Sequence, residues 1–214
     1  MAKTVKRRYD NTRRLAQVRA TRLRVIEAAK GLFIEYGYLA TTLDSVADAA
    51  DVALPTLYRL FRSKRALLSA VLETSFVGDD EPIAFVDRPA VQAARSEPDP
   101  SKLLSAFAGI AKAFMDRSSG ILHVLATAAQ VDAEAADLLA EIRRQRHAGQ
   151  SRIVATLVER GALDPSLDPA EAADFVYLLW SPDAYRILTV ERGWTPEQYE
   201  AWLAHALRRT LLAR

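Results

Sequence analysis

The stretch TTLDSVADAADVALPTLYRLFRSKR, residues 41–65, decides the fold. Leu43, Val46, Ala47 and Ala50 recur at helical spacing, and Thr41-Thr42-Leu43-Asp44 supplies a capping-box-like start. The pattern predicts a short helix over about Leu43–Ala50. Only Asp51-Val52-Ala53 separates it from a second periodic run, Leu54–Leu60. Pro55 fits that run because it lies in the first turn, where its missing N–H is not needed. Ala47 is small where the two helices must cross closely, and Val52 is placed to plug the turn into the core. Leu57 and Phe61 are placed to hold the later helix inward. Leu54, Pro55, Thr56, Tyr58 and Arg59 are left for its outer surface or margins. So short a helix has little stability alone, so packing must hold it.

Upstream, Val25, Ile26, Ala28, Ala29, Leu32, Phe33 and Tyr36 form one apolar stripe, which predicts a helix from about Thr21 to Tyr36. Gly37 stands where a left-handed cap is wanted, and the basic lead-in can extend the helix back towards Asn11. Downstream, Ser63 is placed to cap a fourth helix containing Leu67, Leu68, Val71 and Leu72. The segment Gly78–Pro100, with Pro82, Pro89, Pro98 and Pro100, reads as a loop or boundary. Beyond it the pattern predicts helices at about 101–117, 119–130, 133–160, 169–190 and 196–212. Strand signals are missing, so the fold class is all-α, with about nine helices. Two short helices joined by a tight turn and braced by a longer one make a helix-turn-helix.

The net charge of +2 hides an asymmetry. Residues 1–65 hold 14 Lys/Arg against 6 Asp/Glu, a net of +8, while the remainder holds 15 against 21, a net of −6. A basic first third on a mildly acidic body points to a polyanionic partner for that third alone, nucleic acid ahead of an anionic membrane. An exposed short helix fits the DNA major groove. Residues 1–24 carry nine Lys/Arg and one Asp, and such an arm can enter a minor groove or screen phosphates. Lys64 and Arg65 occupy the first turn of the fourth helix, where the dipole disfavours cations by roughly 0.3–1 kcal/mol. A phosphate held by that helix terminus and Lys64 reverses the sign.

Other chemistries lack their residues. There is no cysteine, which removes disulfides, thiolate nucleophiles and Cys-ligated zinc and fits a reducing compartment. His147 and His205 have no second ligand at metal spacing, so no metal site is expected. No Gly-rich phosphate loop or G-x-S-x-G elbow occurs, so neither an enzyme nor a cofactor is expected. Asp79-Asp80-Glu81 lies in a proline-flanked loop and reads as exposed. The opening MAKTVKRRYDNTRRLAQ has no apolar signal region, and no apolar run spans a bilayer, so a cytoplasmic protein with no membrane partner is expected.

Residues 21–68, from Thr21-Arg22 through Ile26, Ala28-Ala29, Leu32-Phe33, Gly37-Tyr38, Thr41-Thr42, Val46-Ala47, Ala50, Val52, Thr56-Leu57-Tyr58, Phe61 and Ser63-Lys64 to Leu67, resemble the TetR family of bacterial regulators. The resemblance implies a basic arm at 1–20, a helix-turn-helix DNA-binding domain at 21–66 and a helical regulatory and dimerisation domain at 67–214. It implies phosphate contacts from Thr41 or Thr42, Tyr58 and Lys64, and contacts to base edges or flanking backbone from Leu54, Pro55, Thr56 and Arg59. Three departures stand out. Asp51 occupies the usual glycine position of the turn, Ala53 replaces a serine cap, and Leu60 replaces an aromatic or histidine.

The later helices resemble the same family through their helical plan. Phe107, Phe114, Met115, Leu122, His123, Tyr177 and Trp180 are candidates to line a pocket for a small apolar effector, against the plainer reading of a packed core. Phe175, Val176, Leu179, Trp202, Leu203, Leu207 and Leu211 are candidates for a homodimer interface, because Ala172–Trp180 is apolar nearly all round. The resemblance then implies a repressor released by ligand from a near-palindromic double-stranded operator. The alternative is a DNA-binding or protein-interaction scaffold with no effector response.

Overall fold

The computed structural model describes residues 2–79 and 83–213, with side chains from Arg14 onward. Among these residues there are ten α-helices and no strand: α1 (Ala2–Ala40), α2 (Leu43–Ala49), α3 (Leu54–Phe61), α4 (Lys64–Val77), α5 (Pro89–Ser96), α6 (Pro100–Ala128), α7 (Ala133–Glu159), α8 (Pro169–Leu179), α9 (Pro182–Arg186) and α10 (Pro196–Leu211). They form two compact units, Met1–Thr74 and Ser75–Arg214.

In the first unit α1 runs much further back than the apolar stripe required. The basic residues 2–20 are therefore a continuation of a helix in their backbone. The helix breaks at Gly37, whose φ of 82° is open to glycine and strained for other residues. The stripe also needs one correction. Tyr36 is exposed, and Tyr38, beyond the break, turns inward with its ring centroid 5.6 Å from that of Phe33. Val25, Ile26, Ala29 and Phe33 are fully buried as the periodicity requires.

The corner between α1 and α2 is held by two polar side chains. Thr41 is 2% exposed, and its hydroxyl lies 2.8 Å from the Gly37 carbonyl and 3.2 Å from that of Leu32. The Lys64 ammonium reaches across to donate to the carbonyls of Thr41 at 3.0 Å and Leu39 at 3.3 Å, and it sits 4.5 Å from the centre of the Tyr38 ring. Both groups satisfy carbonyls that a helix end would otherwise leave open. Thr42 caps α2 by accepting from the Ser45 amide, and Ser45 returns a bond to the Thr42 amide, which completes a capping box.

α3 is attached by Leu57 and Phe61, at 0% and 4% exposure. Each buried side chain of this size contributes about 1.5–3 kcal/mol, enough to hold a helix that is marginal alone. The turn before α3 places Asp51 at φ 50°, a left-handed position that Asp tolerates better than most residues. Ala53 offers no side-chain cap to α3.

The second unit is a helical body whose core joins Leu104, Ala108 and Met115 of α6 to Tyr199, Leu203 and Leu207 of α10, with Val176 of α8 and Leu157 of α7 packed among them. Three expectations are revised here. The Gly78–Pro100 break contains a 3-10 turn at Phe85–Asp87 and α5, because Pro89 starts that helix and Val91 and Ala94 bury one face. The helices expected at 101–117 and 119–130 are one, α6, since the buried Ser118 hydroxyl donates to the Phe114 carbonyl at 2.7 Å and needs no break. The single helix expected at 169–190 is divided. Pro182 cannot donate to a continuing helix, so α8 ends at Leu179, Ser181 caps α9, and a π turn follows at Ile187–Glu191.

Urea unfolding tests these local arguments. Thr41→Val keeps the volume and loses the hydroxyl, and should lower stability by about 1–2 kcal/mol; an unchanged midpoint would free that hydroxyl from its structural role. Ala53→Ser supplies the missing cap and should raise stability by about 1 kcal/mol, whereas a loss would mean that the turn has no room for the side chain.

Candidate nucleic-acid interface and internal cavity

The surface of α3 is built by subtraction. Leu57 and Phe61 face inward, which leaves Pro55, Tyr58 and Arg59 exposed and Leu54 and Thr56 half-buried at the margins. Arg59 shares a shallow groove with Arg14, Gln17 and Thr21 of α1 and with Thr56. Nothing in the sequence singles out Arg14 and Gln17 among the polar residues of the basic lead-in. Thr42 is exposed at the start of α2. Ser63 caps α4 by accepting from the Ala66 amide at 3.1 Å, and Arg65 is exposed in the first turn.

Two expectations at this surface change. Thr41 cannot meet a phosphate, because its hydroxyl is buried and committed to backbone carbonyls. Lys64 is half-buried and braces the α1–α2 corner, so any phosphate it meets shares the ammonium with two carbonyls. The arm side chains at residues 1–13, and the loop carboxylates Asp80 and Glu81, lie outside the described residues.

The second unit encloses a cavity of about 310 Å³. Its wall includes four phenylalanine rings: Phe76 at the end of α4, Phe85, and Phe107 and Phe114 of α6. Phe114 stacks on Phe76 with centroids 5.1 Å apart and meets the edge of Phe85 at 5.5 Å. Arg117 donates to the carbonyls of Ser75 and Phe76 at the end of α4, a favourable position for a cation, and its burial lowers its pKa. Arg88 grips Asp79 through two bonds of 2.7 Å, which closes the segment carrying Phe85. Across from these rings, α7 contributes Ile142, Arg146, Gln150 and Ile153 from one face.

Of the residues proposed for a pocket, Phe107, Phe114, Leu122 and Trp180 line this cavity. Met115 does not; it is wholly buried in the core. His123 is exposed, and with Tyr177 it lines a separate open groove on the other side of Leu122 and Arg146. The sequence missed Phe76, Arg146 and Gln150. Gln150 is 3% exposed and donates from its side-chain nitrogen to the Trp180 carbonyl at 2.9 Å.

The proposed interface set is also revised. Val176, Leu203, Leu207 and Leu211 are at most 1% exposed within a single chain, because α10 spends its apolar face on α6 and α8. Phe175, Leu179 and Trp202 pack half-buried against the same core. Leu178 of α8 points outward at 66% exposure, and Val131, Val158, Ile187 and Val190 are exposed elsewhere on the body. Among the described residues no helix is long and apolar enough to cross a membrane, and no group of three His, Cys, Asp or Glu is placed to hold a metal.

Comparison with known proteins places this geometry. Residues 25–71 match the model for bacterial regulatory proteins of the tetR family. The chain is 30% identical over 172 residues to the HTH-type transcriptional regulator TtgR of Pseudomonas putida, covering 73% of this chain and 75% of that protein. It is 27% identical over 159 residues to the HTH-type transcriptional repressor ComR of Escherichia coli, covering 71% of each. The fold matches the structure of a SmeT–triclosan complex with a TM-score of 0.71 at 15% identity, over 91% of this chain and 92% of that one. These relatives are regulators, not enzymes. The chain belongs to the TetR family and is a helix-turn-helix, DNA-binding transcriptional regulator.

Proposed function

We propose that this regulator is a homodimeric repressor that leaves a near-palindromic operator when a small molecule enters the cavity of its helical body. One observation carries the DNA-reading part: α3 buries Leu57 and Phe61 and leaves Pro55, Tyr58 and Arg59 exposed. In this reading Arg59 contacts a base edge, and Leu54, Pro55 and Thr56 contact bases or their flanking backbone. Tyr58, Thr42 and Lys64 contact phosphates, and the helical basic extension of α1 adds charge along the backbone. Two copies related by a two-fold axis set their α3 helices about one DNA turn apart, roughly 34–36 Å. The exposed Leu178 of α8 is the residue we assign to the dimer contact.

Release rests on covalent continuity. Phe76 in the last turn of α4 forms part of the cavity wall, and Lys64 in the first turn of the same helix braces the α1–α2 corner. A ligand that displaces Phe76 therefore shifts the helix that positions the DNA-reading unit. Two half-sites bind as a unit, so a change of a few ångströms in their spacing loses the benefit of the second site. The triclosan bound by the SmeT neighbour supports a small molecule as the signal.

Fluorescence anisotropy with the upstream region of the regulator's own coding sequence tests the contacts. Arg59→Ala should relax base preference at one position by about 1–3 kcal/mol; an equal loss at every sequence would make it a backbone contact. Tyr58→Phe should weaken all sequences alike by about 1.5–3 kcal/mol if its hydroxyl meets a phosphate. Lys64→Ala should flatten the dependence of log K on log salt by about one unit, and an unchanged slope would leave Lys64 as a brace alone.

A further inference from the structure

The cavity is not electrically neutral. Among the described residues its wall holds Arg95, Arg146 and Arg152 and no Asp, Glu or Lys. Arg152 is exposed and Arg95 half-buried, so solvent screens their charge. Arg146 is half-buried as well, and it lines both this cavity and the open groove that holds Tyr177. Its guanidinium lies 4.1 Å from the centre of the Tyr177 ring, its Nε is buried without a hydrogen-bond partner, and no carboxylate pairs with it among the described residues. Burial is the largest influence and opposes its charge, Tyr177 and then Asp183 favour it, and Arg143 opposes it. Burial pulls its pKa down, yet a guanidinium stays protonated, so the charge persists without an ionic partner. A charge without an ionic partner, partly withdrawn from water, is left for solvent or a bound anion to satisfy.

The neighbours of Arg146 repeat the pattern. Trp180 Nε1 is a buried donor with no acceptor, and Gln150 Oε1 is a buried acceptor with no donor, on side chains 7% and 3% exposed. The orientation of the Gln150 amide is fixed, because its nitrogen already donates to the Trp180 carbonyl. One end of the cavity is thus a cluster of stacked phenylalanine rings, and the other a cation with unmatched polar groups beside it. A neutral apolar molecule would fill the first end and bury the second still deeper.

We propose that the cavity takes a small aromatic carboxylic acid in its anionic form, with the ring among Phe85, Phe107 and Phe114 and the carboxylate on the guanidinium of Arg146. A planar fork of N–H donors matches a carboxylate, and the pairing strengthens where water is excluded. The volume of about 310 Å³ sits at the low end of ligand pockets, which span roughly 300–1,000 Å³. That size favours a single ring with a short acidic arm. The proposal rests on the ligand-responsive reading of this site and narrows it to one chemistry.

Isothermal titration calorimetry on the full-length protein compares 3-phenylpropanoate with its neutral counterpart 3-phenylpropanamide. The acid should bind about 10-fold tighter or more, the range of a charge-assisted bond. Arg146→Met should erase that preference while leaving amide affinity within about 2-fold, since only the charge contact is lost. Arg146→Lys, which keeps the charge, should retain part of the preference. Arg152→Met alters only an exposed charge and should change acid binding by less than about 3-fold. Failure of the acid to bind, equal affinities for acid and amide, or a preference that survives in Arg146→Met overturns the assignment. Acid binding that leaves DNA affinity unchanged would sink the release mechanism and spare this assignment. DNA release by neutral compounds with no preference for acids would do the reverse.

Discussion

Everything this chain does with DNA depends on two side chains, Leu57 and Phe61, buried from one edge of an eight-residue helix. So short a helix does not persist in water by itself. Held by those anchors, it becomes a fixed surface whose outer residues are free to be chosen for contact rather than packing. The neighbouring corner shows the same economy. Thr41 and Lys64 both spend their polar groups on backbone carbonyls around the break at Gly37. The polar residues nearest the recognition helix therefore divide into those that build its support and those left to face a partner.

That division explains what the sequence could and could not disclose. The helix-turn-helix was legible because its constraints are local: periodicity, a capping threonine, a tolerant Asp in the turn and a proline in a first turn. Val46, Ala47, Leu57 and Phe61 are buried as their spacing requires. Thr41 was misread because a threonine before a helix looks alike whether its hydroxyl caps, contacts a ligand or turns into the core. Only the bond to Gly37, set by the path of the chain, distinguishes these. Prolines misled in the opposite sense. Pro89 and Pro182 were read as breakage and uninterrupted helix, whereas each sits in the first turn of a helix that it starts.

The body was harder to read because an apolar stripe carries no label for what it faces. Val176, Leu203, Leu207 and Leu211 have the spacing of an interface and fill a core instead. The cavity wall drew half its character from a face of α7 that looks solvated in sequence. Ile142, Arg146, Gln150 and Ile153 align along it, but Arg and Gln among charged neighbours give no hint of burial. The signal lies in three dimensions, as a guanidinium lacking an ionic partner beside a cluster of phenylalanine rings. α4 is a single helix, with the Lys64 brace in its first turn and Phe76 of the cavity wall in its last.

The central claim is that the outer face of α3 touches the base pairs. The most direct measurement selects duplexes from a random pool with the full-length protein and then cross-links the winners through a photoreactive amino acid at position 58. The account predicts an enriched sequence of two inverted half-sites, with cross-links falling inside both. A pool that shows no enrichment, or an enriched duplex that never cross-links from position 58, would contradict it.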